Sequence, residues 1–246
     1  MSKLSIVGIV IIIVLIAIFA STRGHIFGHG LSPNGKVVTE TRPVGDFKKL
    51  KLKGIFKTII SQDGGPSWVK VKTDQNLQQI VEIENNGDEL VISNKKNLHF
   101  FSPTEMIVYV NVKEINSIIN SSVGHVETEG KIKAQDLYLK NDAIGKTTLQ
   151  IDVQKLTAEL DAVGATVLTG SAAEADLNNS SVGKLEAFDL KTDILTITNK
   201  AVGGVEVDAE KEISIDHDGV GSLHYKGAAT VKNLKNNGVG KVSKAD

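Results

Sequence analysis

Asp161-Ala162-Val163-Gly164-Ala165 is answered nineteen residues later by Ser180-Ser181-Val182-Gly183-Lys184, and that echo decides the fold. Followed outward, an aliphatic residue and then glycine recur at Val123-Gly124, Ile144-Gly145, Val163-Gly164, Val182-Gly183, Val202-Gly203, Val220-Gly221 and Val239-Gly240. The successive spacings are 21, 19, 19, 20, 18 and 19 residues. A small residue precedes every pair: Ser122, Ala143, Ala162, Ser181, Ala201, Gly219 and Gly238. A near-constant period of this length marks a stack of supersecondary units, each too small to bury its own apolar face.

Counting back from each pair gives the unit its shape. Seven and five residues earlier stand Leu137/Leu139, Leu156/Ala158, Ala175/Leu177, Leu195/Ile197 and Ile213/Ile215, with Tyr138, Thr157, Asp176, Thr196 and Ser214 between them. That alternation is one short strand with two inward positions. Three residues before each pair lie Asn120, Asn141, Leu160, Asn179, Asn199, His217 and Asn236. The pattern predicts a coil that winds once per repeat and stacks on its neighbour at ~4.8 Å, so that equivalent residues form columns. Gly124, Gly145, Gly164, Gly183, Gly203, Gly221 and Gly240 are then turn glycines at a tight bend. Asn120, Asn141, Asn179, Asn199, His217 and Asn236 form an interior ladder in which amides satisfy one another. Hairpins in a sandwich would place turns alternately at two ends and halve the period. The expected fold is therefore all-β, a right-handed parallel β-helix with coils of about 19–20 residues.

Ahead of the repeats the chain reads as β without a clear period. Phe47–Ser61, Trp68–Lys72, Ile80–Glu84, Glu89–Ser93 and Met106–Val112 alternate apolar with polar residues, and Gly64-Gly65-Pro66 and Asn85-Asn86-Gly87 signal reversals. This opening segment is expected to form the first coils and to cover the exposed edge of the stack. The organisation predicted is an apolar N-terminus over residues 1–22, a flexible linker over 23–36, a β opening and capping segment over 37–112 and repeat coils over 113–246, the last two forming one continuous domain over 37–246.

Leu4–Ala20 is apolar apart from Ser5, follows Lys3 and precedes Ser21, Thr22 and Arg23. As a helix it rises about 26 Å, close to the ~30 Å hydrocarbon core of a bilayer. Two readings stay open: a membrane anchor through residues 4–20, or a signal peptide cleaved after Ala20. Both place the remainder outside the cytoplasm, in the cell envelope. In the linker, His25 and His29 are four apart, but Gly28 between them opposes the helix that would pair them on a metal.

Composition excludes several functions. The chain has 28 basic and 29 acidic residues, a net charge of −1 and no cysteine. No basic stripe is present to neutralise phosphates, so nucleic acid is not an expected partner. Thiolate chemistry and disulfides are absent. Aromatics are only 4% of the chain against 41% hydrophobic residues, which suits narrow layers of Val, Ile, Leu and Ala. Asp152, Asp161, Asp176, Asp189, Asp193, Asp208, Asp216 and Asp218 could supply paired carboxylates. In a repeat protein, though, acids on neighbouring coils approach one another routinely, and a solvated face is the plainer reading. Tyr138, Phe188 and Tyr225 are too few to floor a processive sugar groove, though not too few for lectin-like contact. Asp216-His217-Asp218 is the most suggestive trio, yet His217 falls in the asparagine column. No nucleotide, zinc-protease or nucleophile-elbow motif occurs. No catalytic residue, metal site or cofactor is expected.

With these residues in place, a resemblance emerges. Arg42-Pro43-Val44-Gly45-Asp46-Phe47-Lys48-Lys49-Leu50, then Gly54-Ile55-Phe56 leading to Ile60-Ser61-Gln62, Asn76-Leu77 and Gly87-Asp88-Glu89-Leu90-Val91-Ile92, resemble the head GIN domain family. The repeats resemble that family's Gly-Ser-Gly turns, except that here most read Ser/Ala/Gly-Val-Gly. Leu168-Thr169-Gly170-Ser171-Ala172 and Tyr225-Lys226-Gly227 echo its later coils. The resemblance spans about Arg42 to Val242 and implies a non-enzymatic cell-envelope protein of Bacteroidetes type, an adhesin that meets a surface glycan or a protein ligand. The alternatives are a self-assembling scaffold of bactofilin type and, more remotely, a carbohydrate-active enzyme. The scaffold reading draws on the last repeat, Val239–Asp246, which stops mid-coil and invites self-association.

Overall fold

The structure is a computed structural model, described over residues 31–95 and 105–245. The apolar helix expected at Leu4–Ala20, and the pair His25 and His29, lie outside the described residues. No helix among the described residues is long and apolar enough to cross a membrane.

Among the described residues nineteen strands form one hydrogen-bonded system. The first turn in chain order is β2 (Lys49–Lys53) and β3 (Lys57–Ser61), folded about Gly54 and Ile55 and paired in parallel on both sides. Five strands follow from β4 (Trp68–Asp74), β5 (Val81–Asn86), β6 (Glu89–Asn94) and β7 (Ile107–Asn111) to β8 (Ser117–Asn120). β8 lies in parallel beside β2, and β9 (Val126–Glu129) lies in parallel beside β3. From there β10 (Ile132–Asn141), β11 (Thr147–Leu160), β12 (Thr166–Asn179), β13 (Leu185–Ala187) and β14 (Leu190–Asn199) continue the winding. It is completed by β15 (Val205–Asp208), β16 (Glu212–His217), β17 (Leu223–Lys226), β18 (Thr230–Asn236) and β19 (Val242–Lys244).

Every contact between successive turns from β8 onward is parallel, and the register is continuous except between β16 and β18, where a bulge shifts it after Ile213. Leu137 lies beside Leu156, Leu156 beside Ala175, Ala175 beside Leu195 and Leu195 beside Ile213. The neighbouring inward column runs Leu139, Ala158, Leu177, Ile197, Ile215. All ten side chains are buried. Small Ala158 and Ala175 alternate with Leu, so a narrow interior fills without aromatics.

The opening strands depart from this parallel order. β4 runs antiparallel to β7, β1 (Val37–Arg42) antiparallel to β4, and β5 antiparallel to β6. β6 and β7 themselves lie parallel to β2 and β3. The outermost strand is tied down by Arg42, whose guanidinium donates to the carbonyls of Gln78 and Val81. Gln78 in turn donates through Nε2 to the Val38 and Val71 carbonyls.

Candidate functional site

The corner that follows each asparagine position has a polar inside and an apolar outside. Inside, register places Asn120 beside Asn141, Asn141 beside Leu160, Leu160 beside Asn179, Asn179 beside Asn199, Asn199 beside His217 and His217 beside Asn236. Asn120 Nδ2 donates to Asn141 Oδ1 at 3.1 Å and to Thr147 Oγ1 at 3.1 Å. Asn141 Nδ2, facing Leu160, turns instead to Thr166 Oγ1 at 2.9 Å. Beyond Leu160 the relay resumes: Asn179 Nδ2 donates to Asn199 Oδ1 at 2.9 Å, and Asn199 Nδ2 to His217 Nδ1 at 2.8 Å. With Nδ1 accepting, the His217 proton sits on Nε2 and is given to the Gly221 carbonyl at 3.0 Å. Asn236 is exposed and donates to the Gly240 carbonyl. Buried amides are thus satisfied along and across turns, which a low-dielectric interior demands.

Immediately outside this ladder, the aliphatic residue of each pair faces solvent. Ile55, Val123, Ile144, Val163, Val182, Val202, Val220 and Val239 are joined rung to rung by seven parallel bridges. Seven of the eight are between 40% and 71% exposed; Val220 is half-buried. The row continues about 34 Å at the parallel spacing. Each following glycine from Gly124 to Gly240 has φ between +128° and +149°. A Cβ on Gly183, for example, would land on the Gly164 carbonyl oxygen. The repeat spacing reveals the row but not its direction. A usable signal was present in the period-two alternation: Asp142, Ile144 and Lys146 share the outer face, with Ala143 buried between.

The acidic residues named from the sequence are spread over several turns of the stack. Asp152 Oδ1 accepts from Ser171 Oγ at 3.0 Å, and Asp193 pairs with Lys211 at 2.9 Å. Along β16 the alternation turns Asp216 outward and His217 inward, and both ring nitrogens of His217 are engaged, so the Asp216-His217-Asp218 trio does not converge. Among the described residues two carboxylates are shifted: Lys48 holds exposed Glu114 below the ordinary glutamate range, and Asp208 is shifted upward. Its side chain is 4% exposed, Oδ1 has no hydrogen-bond partner, and Lys226 lies 3.6 Å from Oδ2. Burial pushes its carboxyl above the ordinary aspartate range, more than Lys226 pulls it back. Thr192 Oγ1 donates to the Asp208 backbone carbonyl at 2.6 Å, and Thr192 itself lines an open groove with Asp152, Ser171, Lys191, Asp193 and Glu210. Among the described residues no three His, Asp or Glu side chains are grouped to hold a metal. Tyr138, Phe188 and Tyr225 stand on separate turns, and Lys226 sits 5.3 Å from the Phe188 ring centre. Trp68, in β4, is covered by Lys70 at 4.1 Å.

The family described as "Putative auto-transporter adhesin, head GIN domain" matches residues 46–229. The fold is similar to that of a putative adhesin from Bacteroides fragilis, at 24% identity and a TM-score of 0.83, over 88% of this chain and 100% of that one. A putative adhesin from Parabacteroides distasonis is 24% identical with a TM-score of 0.66, over 88% and 100% of the two chains. A putative lipid binding protein from the same species is 18% identical with a TM-score of 0.67, over 88% and 99%. No curated protein matches the chain. These identities establish a shared fold, and the span matched by the family profile establishes kinship: the chain belongs to the head GIN domain family.

Proposed function

We propose that the chain is a non-enzymatic adhesin of the cell envelope, a right-handed β-helix whose outward rows contact a surface glycan or a protein ligand. The observation that carries this reading is a rigid ladder in which outward side chains repeat from turn to turn while the polar groups of the interior satisfy one another. Such an object offers multivalent contact along its length rather than chemistry at one point. Membership of an adhesin-described family supports the same reading. The apolar Leu4–Ala20 segment supports export and either anchoring or cleavage of a leader.

The test is a binding screen of the purified chain on a glycan array and on intact bacterial cells. Saturable binding, weakened when Lys155 and Asp176 on the outward strand faces are reversed in charge, is the expected result. Glycan turnover abolished by Asp216→Asn or Asp218→Asn would replace it with an enzyme. End-to-end filaments in negative stain would replace it with a scaffold, a reading that draws on β18, all seven of whose residues are exposed, including Val231 and Leu234.

A further inference from the structure

The outward aliphatic row is a surface in search of a partner, and its flanks identify the partner's orientation. Eight aliphatic side chains, mostly about half exposed, present on the order of 500 Å² of apolar surface, near the upper end of what a monomer's largest patch carries. The row lies at the bend between the two strands of each turn and points outward, so it is a convex edge. Only the residues two before and two after each aliphatic position can reach a body set against it. On the preceding side these are Ser121, Asp142, Asp161, Ser180, Lys200, Asp218 and Asn237; on the following side, His125, Lys146, Ala165, Lys184, Gly204, Ser222 and Lys241. The preceding flank thus carries three aspartates and one lysine, and the following flank three lysines and no acid. Among the described residues, Asp161, Asp218, Lys146, Lys184 and Lys241 form no ion pair, while Asp142 lies 3.8 Å from Lys140.

A second copy set edge to edge has two symmetric orientations. With the stacks antiparallel, acidic flank meets acidic flank and basic meets basic. With the stacks parallel, a two-fold axis along the stack brings each acidic flank onto the partner's basic flank. Asp142 then meets Lys146 at the same level, twice by symmetry. Asp161 falls between the levels of Lys146 and Lys184, and Asp218 lies one level from Lys241, offsets of ~4.8 Å that a lysine spans. Lys200 faces Gly204 at its own level and lies one level from Lys184, a like-charge offset. Lys53 and Lys57, beside Ile55, are an unfavourable match at one level, and Lys57 already pairs with Glu127 at 2.9 Å. From these features the geometry points to a parallel homodimer that zips along Val123, Ile144, Val163, Val182, Val202, Val220 and Val239. It does not depend on the adhesin reading. A convex edge buries less than the ~800 Å² per partner of a standard interface, so the pair is weak and reversible, and its specificity comes from the flanks.

The absence of native cysteine allows a direct test in the full chain. Val123→Cys, Val182→Cys and Val239→Cys, each outward and exposed, are oxidised in mild detergent beside Lys155→Cys on another face. The inference predicts that Val123→Cys and Val239→Cys each link to themselves at least tenfold faster than Lys155→Cys. A mixture of the two should give no more mixed dimer than that control. Charge reversal of Lys146 and Lys184 should slow linking of Val182→Cys about fivefold. Mixed Val123–Val239 dimers in place of self-links would mean an antiparallel pair and overturn the inference, as would ridge cysteines no faster than Lys155→Cys. Ridge cysteines that do not link but become shielded from a thiol reagent by added phosphatidylcholine vesicles would assign the row to lipid, and overturn it equally.

Discussion

Gly203 and Gly204 are adjacent and identical, yet the chain treats them oppositely. Gly203 holds φ +145°, and a Cβ there would strike the Gly183 carbonyl of the turn below; around Gly204 a Cβ meets nothing within 4 Å. Gly203→Ala is expected to cost about 3 kcal/mol or more, and Gly204→Ala to stay within about 0.5 kcal/mol, in urea unfolding. Asn199 is tied on both sides, accepting from Asn179 and donating to His217. Asn199→Ala strands two buried groups and is expected to cost about 3 kcal/mol by the same measurement. Leu160 shows that the column itself admits an apolar residue where the neighbouring amide can turn elsewhere, as Asn141 does toward Thr166. Asp208 makes a pH prediction. Because burial raises its carboxyl, the fold holds that proton to higher pH than the unfolded chain does. Its contribution to stability is thus present below the unfolded value of about 3.9 and is lost as pH rises through the higher folded value. Asp208→Asn should unfold at a higher temperature than the parent at pH 7.5, with the difference closing toward pH 4; a constant difference across that range would contradict the assignment.

Elements follow from alternation, and alternation was readable to different depths along the chain. The inward columns Leu137–Ile213 and Leu139–Ile215 were legible because period two and the repeat agree at the same positions. The outward setting of Val163 and its equivalents needed one further step, from the exposed Asp161 on one side across buried Ala162. Ile197→Ala should therefore cost about 3 kcal/mol while Val163→Ser changes unfolding by no more than about 0.5 kcal/mol. The opening strands were legible as strands, and Gly64-Gly65-Pro66 and Asn85-Asn86-Gly87 as reversals. That β4 runs antiparallel to β7 and β1 to β4 was not, because strand partnership there depends on residues tens of positions apart and no repeat supplies the register.

For the molecule as a whole, the period made the stack legible, since seven copies of one spacing leave few other folds open. A ligand is not legible in the same way. The corner's specialised side chains spend their hydrogen bonds on one another, and what faces solvent is a set of rows whose chemistry is spread over many turns. Function at this scale belongs to edges and faces, which is why the flanks of the aliphatic row say more than any single acid or histidine. All of it rests on in-register stacking, and one measurement reaches that most directly. Thr157 lies beside Asp176, and Asp176 beside Thr196, one turn further along. In the cysteine-free chain, Thr157→Cys with Asp176→Cys should form an intramolecular disulfide in high yield, because parallel neighbours at ~4.8 Å satisfy its geometry. Thr157→Cys with Thr196→Cys, two levels apart, should not. Equal yields from the two pairs, or none from the first, would contradict the stacked register.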